Sequence, residues 1–386
     1  MKISCVIFMM AIWIGCFFSS FQVSAQHADS NIEALHREDN AQGIQGHVRR
    51  LRLLIDNGGR LAISADGRQI AFDRKGSDGY FDVWMMNADG SEQRCLTCHH
   101  FEISRNNGNP AFDPSGKFII FTAENPYFPD LADRKKSQYL TSPGLGINND
   151  LWLINLEDLS VIPLTHVKNR RGVSHPHFSP DGTKIVWSEI ISPCFEKMGV
   201  WAIKLADFSY EGARPCLSHI QTLKPKGLQF YETHGFSPDG ESILFSGVPR
   251  GGHYYDMEIY SLNIKTNSIL RLTDNDEWDE HAHFTRDGRY IIWVSSAAIA
   301  QVKETGTFFD ILKNPPRLDF WIMNADGSNK QRFSFFNGPE AVEYVDSPDG
   351  VEVGDFDIYP NGRRIMAEIR CYHKEIMAVV DLDRGY

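Results

Sequence analysis

Basic residues are in deficit: 39 Lys and Arg stand against 50 Asp and Glu, a net charge of −11 with histidine neutral. A nucleic-acid binder needs a basic face for phosphates, so that class is excluded. Long apolar runs are scarce too. Beyond the first 25 residues no segment is long and apolar enough to span a bilayer. The composition, 42% hydrophobic and 12% aromatic, also lacks the bias of disordered, collagen-like or coiled-coil chains. A folded chain remains, and 386 residues allow either two or three domains or one large all-β fold.

The one apolar run sits at the start. Lys2 precedes Ile3 to Phe18, then come Ser19 and Ser20, then Val23-Ser24-Ala25 before Gln26. This is the order of a secretory signal peptide, with cleavage expected after Ala25. An uncleaved anchor is the alternative. Trp13-Ile14-Gly15-Cys16 has Trp where a lipoprotein cleavage box has an aliphatic residue, and is set aside. The expected plan is a signal peptide over 1–25, a linker over 26–46 and one folded unit over 47–386, periplasmic or secreted. Five cysteines follow the signal: Cys95, Cys98, Cys194, Cys216 and Cys371. An exported chain meets an oxidising compartment. Cys194 and Cys216 flank one expected strand segment and are candidates for a bridge, which spacing alone leaves open.

The mature chain repeats. Phe178-Ser179-Pro180-Asp181-Gly182 recurs as Phe236-Ser237-Pro238-Asp239-Gly240 and as Phe284-Thr285-Arg286-Asp287-Gly288. Looser copies begin at Ile63 and Phe112, and a longer one runs from Phe356 to Gly362. Each is followed by a short apolar run such as Ile119-Ile120-Phe121 or Ile243-Leu244-Phe245. Strand, Asp-Gly turn and strand make a β-hairpin, because Gly supplies the positive φ of a tight turn. A second hairpin follows in most copies, as in Trp84-Met85-Met86-Asn87-Ala88-Asp89-Gly90, and Leu96-Thr97, Leu164-Thr165 and Leu272-Thr273 close their units. Four-stranded units repeated six times predict an all-β, six-bladed β-propeller. The sixth unit has only three strands of its own, so the segment from His47 to Ile55 is expected to supply the fourth and close the ring. A seventh blade would have to be concealed in Phe333–Val345.

These motifs resemble the WD40-like repeat of the TolB propeller family, over about residues 48–383. The resemblance implies the fold and an exported location. TolB itself binds partner proteins, and related propellers are peptidases or polysaccharide lyases. The peptidase branch is excluded, since no Gly-x-Ser-x-Gly elbow and no appended domain are present.

Three repeats carry polar residues just before the aromatic: His175-Pro176-His177, Glu232-Thr233-His234 and Asp279-Glu280-His281-Ala282-His283. Alternation along a strand puts the two histidines of His-x-His on one side. Inner strands of successive blades converge, so His175, His177, His281 and His283 are candidate metal ligands, with manganese or zinc suited to imidazole and carboxylate. Glu232, His234 and Glu189 are candidate catalytic groups, and Glu124 is expected at the same mouth, near the start of the inner strands. Oligogalacturonate lyases similarly carry histidines before an aromatic-Ser-Pro-Asp-Gly turn, which implies a metal-dependent lyase acting on acidic sugars. Arg250, His253 and Tyr254 form an expected loop able to hold an anionic or sugar ligand, and Trp278 could stack on a sugar or simply pack. The alternative is a non-catalytic module binding an envelope protein.

Cys95-Leu96-Thr97-Cys98-His99 matches the c-type haem attachment signature, with His99 as proximal ligand. A Cys95–Cys98 disulfide competes with it, because a blade junction offers little apolar cover for a porphyrin. Export makes the first testable statement: the mature protein begins at Gln26, as N-terminal mass spectrometry of exported protein will read. An intact Met1 or a lipid on Cys16 would contradict it.

Overall fold

The computed structural model describes residues 46–386, except 132, 194–198, 212–213, 302, 304–310, 312–313 and 342. The expected signal peptide, most of the 26–46 linker, and Cys194 lie outside the described residues. Among the described residues no helix is long and apolar enough to cross a membrane.

Among the described residues twenty-four strands form six four-stranded antiparallel sheets. The inner strands of blades one to six are Leu61–Ile63, Asn107–Phe112, Gly172–Phe178, Leu228–Phe236, Asp279–Phe284 and Glu352–Ile358. Blade six is completed by Val48–Asp56, which pairs antiparallel with the last strand, Lys374–Leu382. The expected closure is therefore present, and the described residues of 333–345 add no seventh sheet.

The repeated turn explains the hairpins. Gly67, Gly116, Gly182, Gly240, Gly288 and Gly362 all have φ between 64° and 73°, a region that costs other residues about 1–2 kcal/mol. In four blades the Ser or Thr hydroxyl donates to the turn Asp, as from Ser179 to Asp181 at 2.6 Å and Thr285 to Asp287 at 2.8 Å. The turn also fixes the register: Phe178 pairs with Ile185, Phe236 with Ile243 and Phe284 with Ile291.

Blade six corrects the sequence alignment by two residues. Gly362 bonds to Tyr359, and Ile358 pairs with Ile365. Ile358, not Phe356, thus occupies the aromatic slot, and Asp355 and Asp357 take the places of His175 and His177. Sequence matching was drawn to Phe356 by its ring; the hydrogen bonds follow the turn.

Second strands are apolar on both faces because each blade is covered on both sides. Ile119 and Phe121 pack towards blade one, whereas Ile120 packs towards blade three. Leu244 faces blade five, and Ile291 and Trp293 face back to blade four. Phe121 is fully buried at the junction of blades one and two. Phe121→Ala is expected to destabilise the protein by about 3–5 kcal/mol, read from the denaturant midpoint. A loss below about 1 kcal/mol would mean that the blade junction is not tightly packed.

Candidate functional site

Inner strands carry one edge that no fifth strand covers, so their amides need other partners. Side chains of neighbouring blades supply them. The Leu61 and Ile63 amides donate to the Asp355 and Asp357 carboxylates at 3.2 and 2.8 Å. Asn109 N donates to Asp73, and Thr233 N to the Ser188 hydroxyl. The axis is polar for this reason.

Inner strands of all six blades line an axial cavity of about 380 Å3. Its rim is built from first-turn residues, among them Pro114, Pro180, Pro238 and Arg286. The cavity therefore opens at the turn end of the inner strands, not at their beginnings as the sequence suggested. The opposite end is met by the blade-two connection that follows helix α1 (Arg134–Leu140). Asn109 Nδ2 donates to Pro143 O at 2.6 Å, and Gly144 lies against the Arg60 guanidinium.

Five histidines line this cavity in two steps. His177 and His283 form the step nearer the rim, with ring centroids 6.5 Å apart. Below them His175 and His281 are 6.4 Å apart, and His234 is 5.7 Å from His281. His175 and His281 hold φ values of 50° and 47° at bulges in their strands. The bulge turns each side chain inward.

Glu232, His234 and His281 each place a ligand atom within 4.8 Å of the others, and His175 Nε2 is 3.4 Å from Glu232 Oε1. The candidate residues are thus grouped differently in space from the sequence expectation. Glu232 and His234 join His175 and His281, while His177 and His283 stand apart. Ser246 settles the tautomer of His234. Its hydroxyl donates to Asp279 O at 3.3 Å and so accepts from His234 Nε2 at 2.6 Å, which leaves Nδ1 with its lone pair.

Burial dominates the electrostatics. Desolvation holds His175, His234 and His281 well below the usual imidazole range, and His177 and His283 at about 3 and about 4. Neighbouring positive groups add to the effect. All five are neutral and keep a lone pair. Glu232 is raised well above the carboxylate range by burial and then by Glu280 beside it. Glu280 is pushed to about 7 by burial, opposed by the Trp278 indole that donates to it at 2.8 Å. The two carboxyls hydrogen-bond and hold one proton between them. A divalent cation among these lone pairs would supply the positive charge that the pair lacks.

The other expected site residues lie elsewhere. Glu189 accepts from Trp187 Nε1 at 3.1 Å, has Lys204 at 3.8 Å, and does not line the cavity. Glu124 is buried among Arg105, Asn106 and Thr141. Arg250, His253 and Tyr254 lie outside the cavity; His253 N donates to Asp256, and Tyr254 packs on Phe230. Trp278 is 5% exposed and edge-on to Tyr255, so it packs rather than offering a face to a sugar. Cys95 and Cys98 are joined in a disulfide. Neither sulfur is left for a thioether, and the haem alternative gives way to the disulfide. Cys216 is a free thiol beside Ser209.

Sequence reasoning left Arg60, Glu280, Asp355, Asp357 and Ser246 out of the site. Counting three residues back from Ile63 would have placed Arg60 at the level of His175. Nothing in the sequence signals Ser246.

The fold and cavity define a six-bladed β-propeller with an imidazole–carboxylate cluster on its axis. No protein-family profile matches the chain. The chain is similar to the uncharacterized protein Atu1656 of Agrobacterium fabrum, 27% identical over 173 residues, or 42% of this chain and 54% of that protein. The match spans about half the length of that relative. Similar solved structures include TolB from Acinetobacter baumannii, at 16% identity and a TM-score of 0.49, covering 83% of this chain and 65% of that one. Another is an oligogalacturonate lyase in complex with manganese, at 12% identity and a TM-score of 0.47, covering 86% and 90%. The architecture itself rests on the pairing of the six blades.

Arg60 is the test of the electrostatic account. It lies 3.8 Å from Asp73, which is fully buried and pushed to about 6 by desolvation, with Arg60 opposing. Arg60→Met is expected to cost about 3–5 kcal/mol at pH 8. Without the guanidinium the folded pKa of Asp73 rises further, so the penalty grows as pH climbs past 6 and shrinks towards pH 5, where Asp73 is protonated in both proteins. A loss independent of pH, in paired denaturation curves, would contradict this account.

Proposed function

We propose that the chain is an exported, metal-dependent propeller whose axial cavity takes acidic sugars and acts on them as a lyase. The observation that carries the reading is the convergence of Glu232, His234 and His281 within 4.8 Å, with His175 beside them, below an open cavity. Imidazole and carboxylate donors suit manganese or zinc. When bound, such a cation polarises a uronate carboxylate and acidifies the adjacent C–H bond.

The chain's own residues divide the remaining work. His175, Glu232, His234 and His281 hold the cation, and Ser246 fixes the donor nitrogen of His234. Arg286, exposed on the rim, attracts an anionic sugar. His177 and His283, outside the ligand set and nearer the rim, are the bases for the proton once a bound anionic sugar beside them raises their depressed pKa. Export rests on residues 1–25, and the ligand is an oligosaccharide rather than a nucleic acid.

Protein purified without chelator is expected to hold one divalent metal per chain by elemental analysis. His234→Ala loses it, and Ser246→Ala weakens binding by about 10–100-fold. Loaded wild-type protein produces unsaturated uronate ends, followed by ultraviolet absorbance, and chelation abolishes the signal. Metal-free wild-type protein whose thermal melt ignores added manganese and zinc would sink the reading and favour the non-catalytic binding module. Loaded protein inert on every uronate oligomer would remove the substrate while leaving the metal.

A further inference from the structure

Blades one, two, four and five share a device at the start of their third strands. An acid stands there, Asp82, Asp150, Glu258 or Asp319, and a Thr or Ser follows the fourth strand; in blades one, two and five the two are hydrogen-bonded. The hydroxyl accepts the next strand amide, as from Val83 N to Thr97 at 3.0 Å and from Phe320 N to Ser334 at 2.9 Å. In blades one, two and five it also donates to the acid. In blades four and five the residue two before the hydroxyl is an arginine that pairs with the acid: Arg271 with Glu258 at 2.9 Å and Arg332 with Asp319 at 2.6 Å. Blade two has Pro163 in that position and blade one has Cys95. Its acid faces two sulfurs instead of a guanidinium.

Those sulfurs are arranged as ligands. Asp82, Cys95 and Cys98 each place a ligand atom within 4.8 Å of the others. Both hydrogen bonds to the Asp82 carboxylate, from Thr97 at 2.7 Å and Asn107 at 3.5 Å, fall on Oδ1, so Oδ2 keeps its lone pairs. His99 follows Cys98 directly in the chain. Cys98 and His99 are exposed, which leaves the site open to reductant and ion.

We propose that reduction of the Cys95–Cys98 disulfide converts this corner of blade one into a zinc-type cation site, with two thiolates, the Asp82 carboxylate and His99 as its ligands. A dithiol reductant delivers two electrons to the sulfur pair and becomes a disulfide itself. The two new thiols then release their protons to solvent as the cation binds. Two sulfurs, a carboxylate oxygen and an imidazole nitrogen make a tetrahedral donor set for Zn2+. The bound ion supplies the positive charge that Arg271 and Arg332 supply in their own blades. The disulfide closes a very short loop, so the propeller survives its reduction.

Cobalt reports on this site directly, because thiolate ligands give Co2+ an intense near-ultraviolet charge-transfer band. Full-length protein is titrated with Co2+ oxidised, and again after reduction by a phosphine that is then removed. Reduced wild-type protein is expected to develop the band at one cobalt per chain, and oxidised protein to show none. Asp82→Asn lowers the affinity by at least about tenfold. The Cys95→Ser, Cys98→Ser double variant shows no band, although Cys194, Cys216 and Cys371 remain. A reduced wild-type protein without the band, or a band that persists in the double variant, would overturn the proposal. The axial cluster contains no sulfur, so cobalt bound there adds no such band. Failure of either site is therefore visible without the other.

Discussion

Second strands that are apolar on both faces cannot stay in water, and a single four-stranded sheet has no way to cover both. This need for cover on both sides governs the whole molecule. Each blade gives one face to the blade before it and one to the blade after, as Ile119 and Ile120 do on adjacent positions of one strand. Such an arrangement has no natural end, so the sheets must come round to the first. Blade six arrives one strand short, and Val48–Asp56 fills the gap from the other end of the chain. The ring is held by hydrogen bonds as well as by packing.

Closure creates the axis, and the axis has different rules from the blades. Six inner edges meet there without a further strand to pair with, and their amides turn to side chains of neighbouring blades. The carboxylates of Asp355 and Asp357 serve this purpose for blade one, while sitting at the levels occupied by His175 and His177 in blade three. Structural and chemical duties thus fall on the same positions. Burial keeps the histidines neutral and makes Glu232 and Glu280 share a proton. The result is a cavity rich in lone pairs and poor in positive charge.

Blade one shows the same logic at the periphery. The acid that opens the third strand meets an arginine counter-charge in blades four and five, whereas in blade two Asp150 is held by the Thr165 hydroxyl and the Val167 amide. Blade one provides Cys95, so its acid lacks the arginine counter-charge while the neighbouring sulfurs remain bonded to each other.

The sequence by itself determined the blades. Turn chemistry and strand alternation are local, so Phe178-Ser179-Pro180-Asp181-Gly182 and its copies announce hairpins wherever they occur, and a final unit of three strands calls for a fourth. It also picked out the histidines, since residues so unlike a scaffold's needs recur at one place before the turn. Tertiary structure alone decided their grouping. Bulges at His175 and His281 turn those rings towards Glu232 and His234, and a bulge depends on the partner strand. The same holds for Arg60, whose importance comes from Asp73 and Gly144 in other segments, and for Ser246, which matters only through His234. In blade six Phe356 fits the pattern by type, whereas the register, two residues further on, is set by hydrogen bonds around Gly362. The open end of the cavity is likewise beyond local pattern. A strand's direction can be read from its turn, but the meeting of one mouth with the blade-two connection is a contact between distant segments, and no local pattern encodes it.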